Sequence, residues 1–295
     1  MSEANVQPHL PWQDMDAAEL ARQYSARGTV PDAEVFIRDY RSLSAPMYAL
    51  PCVRDIAYGP SAAERIDLFP VPGRSDAPLF VFVHGGYWRS MGNEDSVFMA
   101  ECFTKRGIAV ASINYGLAPE VRLSTMVDQC RSGLAWLYKN AGAHGIDVGR
   151  IVVAGSSAGG HLGGMLLAPG WQQALGLPAQ VAQGGVLVSG LFDLAPVQHT
   201  TPNTWLNLSP EEAALLSPQH RLPPAGTRLC IAVADIDTAE FKRQSSDYAA
   251  ACQAHGCSVS TLDVPGRNHF DVINDWMNPD SALSQATWPL FESIE

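Results

Sequence analysis

The chain has 295 residues, of which 46% are hydrophobic and 17% charged. That size and apolar content permit one large core and exclude intrinsic disorder, a collagen-like repeat and a small disulfide scaffold. With 19 basic against 30 acidic residues the formal net charge is −11, which repels phosphate backbones and removes nucleic acid from the expected partners.

Residues 1–10 carry neither the basic nor the apolar stretch of a secretory signal. No apolar run approaches the roughly 20 residues that span a bilayer. The six cysteines are scattered and form no C-x-x-C pair. The expectation is a cytoplasmic protein in a reducing compartment, with no disulfide framework and no membrane partner. Residues 1–50 read as an N-terminal arm, with a short helix over 17–25 and another opened by Pro31. Such an arm either packs over the main body or partly caps a site that must exclude water.

From residue 55 the pattern changes. Ile66, Leu68 and Phe69 mark a short strand. The stretch 79–83 (LFVFV) is apolar without alternation, as in a strand buried on both faces. Similar runs follow at 108–113, 151–154, 185–188 and 229–233, with a shorter one at 259–262. Helical spacing fills the gaps at 95–105, 124–140, 158–167 and 239–254. Strands alternating with helices predict an α/β fold with a mostly parallel central sheet and helices on both faces. Residues 51–295 read as one such domain. In that architecture active sites lie beyond the carboxyl ends of the strands.

Two of those strand ends carry chemistry. After 151–154 stands Gly155-Ser156-Ser157-Ala158-Gly159, a G-x-S-x-G pattern centred on Ser157. Between a buried strand and a helix this makes a sharp turn that exposes the serine as a nucleophile, with the helix N-terminus aimed at the site. After 79–83 stands His84-Gly85-Gly86-Tyr87-Trp88. Paired glycines let backbone N–H groups face a developing oxyanion, so Gly85, Gly86 and Ala158 are the expected donors. His84 is expected to fix the loop rather than to act as a base.

A serine hydroxyl needs a general base and a group that orients it. His144, His199, His220 and His255 lie in polar or loop stretches, His9 near the terminus, and His161 inside the helix after the serine. His269 follows the last strand in a glycine-containing loop, which satisfies the chain order serine, acid, histidine. The acid should follow 229–233, where Asp235 and Asp237 stand. Asp237, just before a helix start, is the favoured acid, with Asp235 as the alternative and helix capping as the ordinary role of either.

These motifs resemble the kynurenine formamidase (arylformamidase) branch of the α/β-hydrolases, relatives of the hormone-sensitive-lipase-like esterases. Glu64-Arg65-Ile66-Asp67-Leu68-Phe69, Ser189-Gly190-Leu191-Phe192-Asp193-Leu194 and Asn268-His269-Phe270 add to the likeness, which spans about 55 to 275. The resemblance implies Ser157 as nucleophile, Asp237 as acid, His269 as base, and Gly85, Gly86 and Ala158 as oxyanion donors. The turn Ala234-Asp235 departs from the glycine-acid pair frequent in relatives, so Asp235 stays open. The function expected is a serine hydrolase that removes a small acyl group from an amide or ester, in first place an arylformamidase. The alternatives are a short-chain carboxylesterase and a non-catalytic binding protein of the same fold. Tyr87 and Trp88 are expected to wall an aromatic pocket, with a core position as the other reading of Trp88. No metal or cofactor is expected. The partner is a small-molecule substrate, with a homodimer as a further arrangement.

Overall fold

Side chains of β3 (Ala77–Val83) alternate between two apolar layers, and all seven residues are buried. Leu79, Val81 and Val83 enter one cluster, and Phe80 and Phe82 enter the other. This is the pattern of a strand covered on both faces. The computed structural model describes residues 11–292 and places β3 inside an eight-stranded sheet. The other strands are β1 (Val53–Ala57), β2 (Arg65–Phe69), β4 (Ala109–Ile113), β5 (Ile146–Ser156), β6 (Gly184–Val188), β7 (Arg228–Ala234) and β8 (Ser258–Val264), in the order β1-β2-β4-β3-β5-β6-β7-β8. β2 runs antiparallel to both β1 and β4, whereas the pairings from β4 through β3 to β8 are parallel.

The arm contributes α1 (Ala17–Gln23) and α2 (Ala33–Ser44). The remaining helices are α3 (Ala100–Lys105), α4 (Leu123–Asn140), α5 (Ala158–Leu167), α6 (Asn203–Leu206), α7 (Pro210–Leu215), α8 (Ala239–Ala254) and α9 (Ala282–Thr287). Met126 of α4, Leu162 of α5 and Tyr248 of α8 share the Leu79 layer, while Phe103 of α3 and Leu283 of α9 share the Phe80 layer. The helices thus cover both faces of an α/β-hydrolase sheet. Pro31 does not itself open α2. Asp32 caps it, accepting from the Glu34 amide at 2.9 Å. No described helix is long and apolar enough to cross a membrane. Residues 1–10, and with them His9, lie outside the described residues.

The structure differs from the sequence reading in several elements, with α6, α7 and α9 among those not anticipated. The helix expected over 95–105 is only α3 and a 3-10 turn, Asn93–Asp95. Between them Ser96 Oγ donates to the Gly92 carbonyl at 2.6 Å and the Val97 amide donates to Ser44 Oγ at 3.2 Å. Burying Val97 and Phe98 in the core outweighs continuing the helix. Strand β1 was not anticipated. Its side chains are mostly exposed and its register against β2 is broken by a bulge, with Asp55 at φ 55°, so no apolar period marks it.

Gly159 is the tightest link between α5 and the sheet. A Cβ there would lie 2.1 Å from the Val83 carbonyl oxygen. Gly159→Ala is therefore expected to lower the thermal midpoint by more than about 10 °C or to prevent folding. Gly142→Ala, where a Cβ meets nothing within 4 Å, should stay within about 2 °C of the parent in the same melt.

Candidate active site

Ser157 joins β5 to α5 with φ 58° and ψ −122°. That conformation is costly for a residue with a side chain and persists only where the surroundings enforce it. The enforcement comes from close approach. A Cβ on Gly155 would lie 2.1 Å from the Gly159 carbonyl oxygen, so the two glycines of the motif touch across the turn. The Ser157 amide donates to the Val188 carbonyl at 2.9 Å, which ties the turn to β6. All ten residues of α5 are buried, and its N-terminus carries the positive end of the helix dipole toward the serine.

The loop after β3 is a second strained segment. Gly86, Tyr87 and Trp88 follow one another at φ 90°, 51° and 58°. Four hydrogen bonds hold Tyr87 and Trp88. Tyr87 Oη donates to the Tyr24 carbonyl at 2.5 Å, and Trp205 Nε1 donates to the Tyr87 carbonyl at 3.1 Å. Trp88 Nε1 donates to His161 Nδ1 at 3.2 Å, and the Ala118 amide donates to the Trp88 carbonyl at 2.8 Å. The second ring nitrogen of His161 lies 2.7 Å from the Leu216 carbonyl. Burial pushes the His161 pKa down to about 4, so this histidine is a neutral structural bridge. His84 is buried and stacked on Tyr115 with ring centroids 4.2 Å apart, its Nδ1 3.0 Å from the Gly85 carbonyl. It fixes the loop, in line with the sequence expectation. The Gly86 and Ala158 amides donate to no acceptor among the described residues. Gly85 rests against the Ser156 carbonyl, 2.8 Å from where a Cβ would stand.

His269 Nδ1 lies 2.8 Å from Asp237 Oδ1, and the Asp237 side chain is fully buried. Asp235, the alternative acid, points outward. It is about half exposed, receives the Gly266 amide at 3.3 Å and faces Lys242 at 3.9 Å. The imidazole packs on Phe241 at 4.6 Å between centroids. Ser157 and His269 line the same cavity. Among the described residues no hydrogen bond joins the Ser157 hydroxyl to the ring. Such contacts tighten with substrate in many hydrolases.

The cavity has a volume of about 760 Å³, within the size range of small-molecule sites. Tyr24 and Tyr40 of the arm, Tyr87, Trp205 and Phe270 give it aromatic walls. Of the two aromatic residues expected to wall it, Tyr87 does so and Trp88 does not. Trp88 is wholly buried in the core, because its left-handed backbone turns the indole back onto His161. The arm is anchored beside the site. Tyr24 Oη donates to Glu240 Oε2 at 2.8 Å, Tyr40 Oη donates to the Phe270 carbonyl, and Phe36 stacks on Phe270 at 5.8 Å.

Sequence reasoning missed Ser189. It directly follows β6, is fully buried, has φ 47°, and its Oγ donates to Asp237 Oδ2 at 2.5 Å while accepting the Ala234 amide at 3.2 Å. Its position at the carboxyl end of a central strand was a usable signal. The arm's part in the cavity left no motif to read.

The BD-FAE family model matches residues 66–176. The chain is 32% identical to a kynurenine formamidase from Salmo salar, over 93% of this chain and 96% of that one. It is 30% identical to a kynurenine formamidase from Danio rerio over the same shares. The fold is that of a thermophilic carboxylesterase cloned from a metagenomic library, with a TM-score of 0.68, 20% identity, and coverage of 95% of this chain and 99% of that one.

Ser189→Gly suits the positive φ and removes the CH2OH side chain, with it both hydrogen bonds of the hydroxyl. The buried Asp237 carboxylate then keeps His269 as its one described side-chain partner. The expected result is a kcat/KM lowered by about tenfold. A kcat/KM within about twofold of the parent would assign Ser189 to packing alone.

Proposed function

The chain belongs to the kynurenine formamidase family of α/β-hydrolases, and on that premise we propose that it hydrolyses the formamide of an N-formyl arylamine of the N-formylkynurenine type. The observation that carries this reading is the aromatic-walled cavity onto which Ser157 and His269 both open. A formyl group is small, whereas an arylamine leaving group needs flat apolar walls, which Tyr24, Tyr87 and Trp205 provide.

In the proposed reaction Ser157 Oγ attacks the formyl carbon while His269 takes the hydroxyl proton. Asp237 holds the ring through the 2.8 Å contact and stabilises the imidazolium. The amides of Gly86 and Ala158, with Gly85 shaping the loop beside them, receive the oxyanion without first breaking other hydrogen bonds. His269 then protonates the departing nitrogen as the carbon–nitrogen bond breaks. Water, deprotonated by His269, attacks the formyl-enzyme and releases formate and free Ser157. Residues 11–50 act as a partial cap that keeps bulk water from this intermediate, a role supported by Tyr24, Ala26 and Tyr40 on the cavity wall.

Steady-state kinetics on N-formylkynurenine and p-nitrophenyl acetate test the reading. A formamidase favours the former by a wide margin in kcat/KM, and Ser157→Ala lowers kcat by about 10^4-fold or more. Comparable or reversed preference would assign the same residues to a short-chain carboxylesterase, to which the fold is equally suited.

A further inference from the structure

The lining of the cavity is electrically one-sided. Arg22, Arg27 and Arg89 take part in it, and no Asp or Glu does. Two of these arginines are neutralised within the arm, Arg22 by Glu19 and Arg27 by Glu34. Arg89 has no carboxylate partner among the described residues. Its guanidinium carbon lies 4.8 Å from the centre of the Trp205 ring. Stacking occupies one face of the planar group and leaves its N–H edge free for a bidentate acceptor.

The pair is also held in place. Trp205 is fixed by its hydrogen bond to the Tyr87 carbonyl at 3.1 Å, and the Arg89 amide donates to the Gly86 carbonyl at 3.0 Å. Both anchors belong to the strained loop that lines the cavity with Ser157, so Trp205 and the Arg89 backbone are tied to that wall. A pinned cation on the wall of an aromatic cavity, in a chain of net charge −11, is suited to a small anion and repels none that reaches it.

We propose that Arg89, stacked on Trp205, binds a carboxylate on the leaving group of the substrate and so selects arylamides with an acidic tail over uncharged ones. This rests on the formamidase reading for the identity of the scissile bond, but not for the ligand chemistry of the cation. Within that reading the substrate class is an N-formyl arylamine whose ring carries a carboxylate-bearing side chain. The aromatic walls take the ring, and Arg89 takes the tail.

The test compares two amines with the full chain, kynurenine and 2-aminoacetophenone, which share the ring and ketone and differ in the amino-acid tail. Their dissociation constants are measured by calorimetry for the parent, Arg89→Gln and Arg89→Lys. The parent is expected to favour kynurenine by about tenfold or more, the size of a charge-assisted pair. Arg89→Gln should collapse that ratio and Arg89→Lys should keep part of it. With N-formylkynurenine and 2-formamidoacetophenone as substrates, the kcat/KM ratio should fall in Arg89→Gln chiefly through KM. An unchanged ratio in Arg89→Gln, or a parent that binds neither amine or does not prefer kynurenine, would overturn the proposal. A parent that binds kynurenine in an Arg89-dependent way yet leaves N-formylkynurenine intact would overturn the formamidase reading and leave the carboxylate site standing.

Discussion

The contact between Gly159 of α5 and the Val83 carbonyl of β3 constrains everything else at the site. Because a Cβ would stand only 2.1 Å from that oxygen, the helix axis comes closer to the sheet than any side chain permits. The chain must then reverse between β5 and α5 in one residue, and Ser157 absorbs the reversal at φ 58°. The strain exposes the hydroxyl and points the first amides of α5 at the same space. The cost is offset by burying the whole of α5. Strain at Ser157 and burial of the helix behind it are one structural event.

A second layer of support surrounds that turn. The loop of Gly86, Tyr87 and Trp88 runs left-handed for three residues, and its bonds come from distant parts of the chain: the arm through Tyr24, α5 through His161, and α6 through Trp205. Asp237 is likewise held from two sides, by His269 and by Ser189. Each of these groups therefore sits in a position that no single element determines, and the geometry is held from several sides at once. The neutral His161, with its pKa driven down to about 4 by burial, fits this role, because a charge at that depth would cost more than the two hydrogen bonds return.

The sheet was legible because its central strands are buried on both faces and so read as unbroken apolar runs, as at 79–83 and 151–154. Ser157 and Asp237 were legible as candidates because each follows such a run, and His269 because it follows the last strand, β8, a mostly exposed edge strand. What the sequence concealed depends on distant partners. The helix expected from 95 is interrupted because the Val97 amide bonds to Ser44 Oγ of the arm. Ser189 acquires its meaning only from Asp237, 48 positions later. Trp88 was expected to stack on an aromatic leaving group, with a core position as the other reading, and it is the core position that it takes, at φ 58°. The aromatic residues of the arm, spaced irregularly along 11–50, show no pattern until they meet over the cavity.

The account depends most on Ser157 being the activated nucleophile, and covalent labelling tests this directly. Ser156 also lines the cavity and is buried to a similar degree, so the two neighbours provide an internal control. A fluorophosphonate should phosphonylate Ser157 with loss of fluoride, as located by peptide mass mapping. The adduct should vanish in Ser157→Ala and form far more slowly in His269→Ala. An adduct on Ser156, or a parent protein that takes no label, would contradict the account.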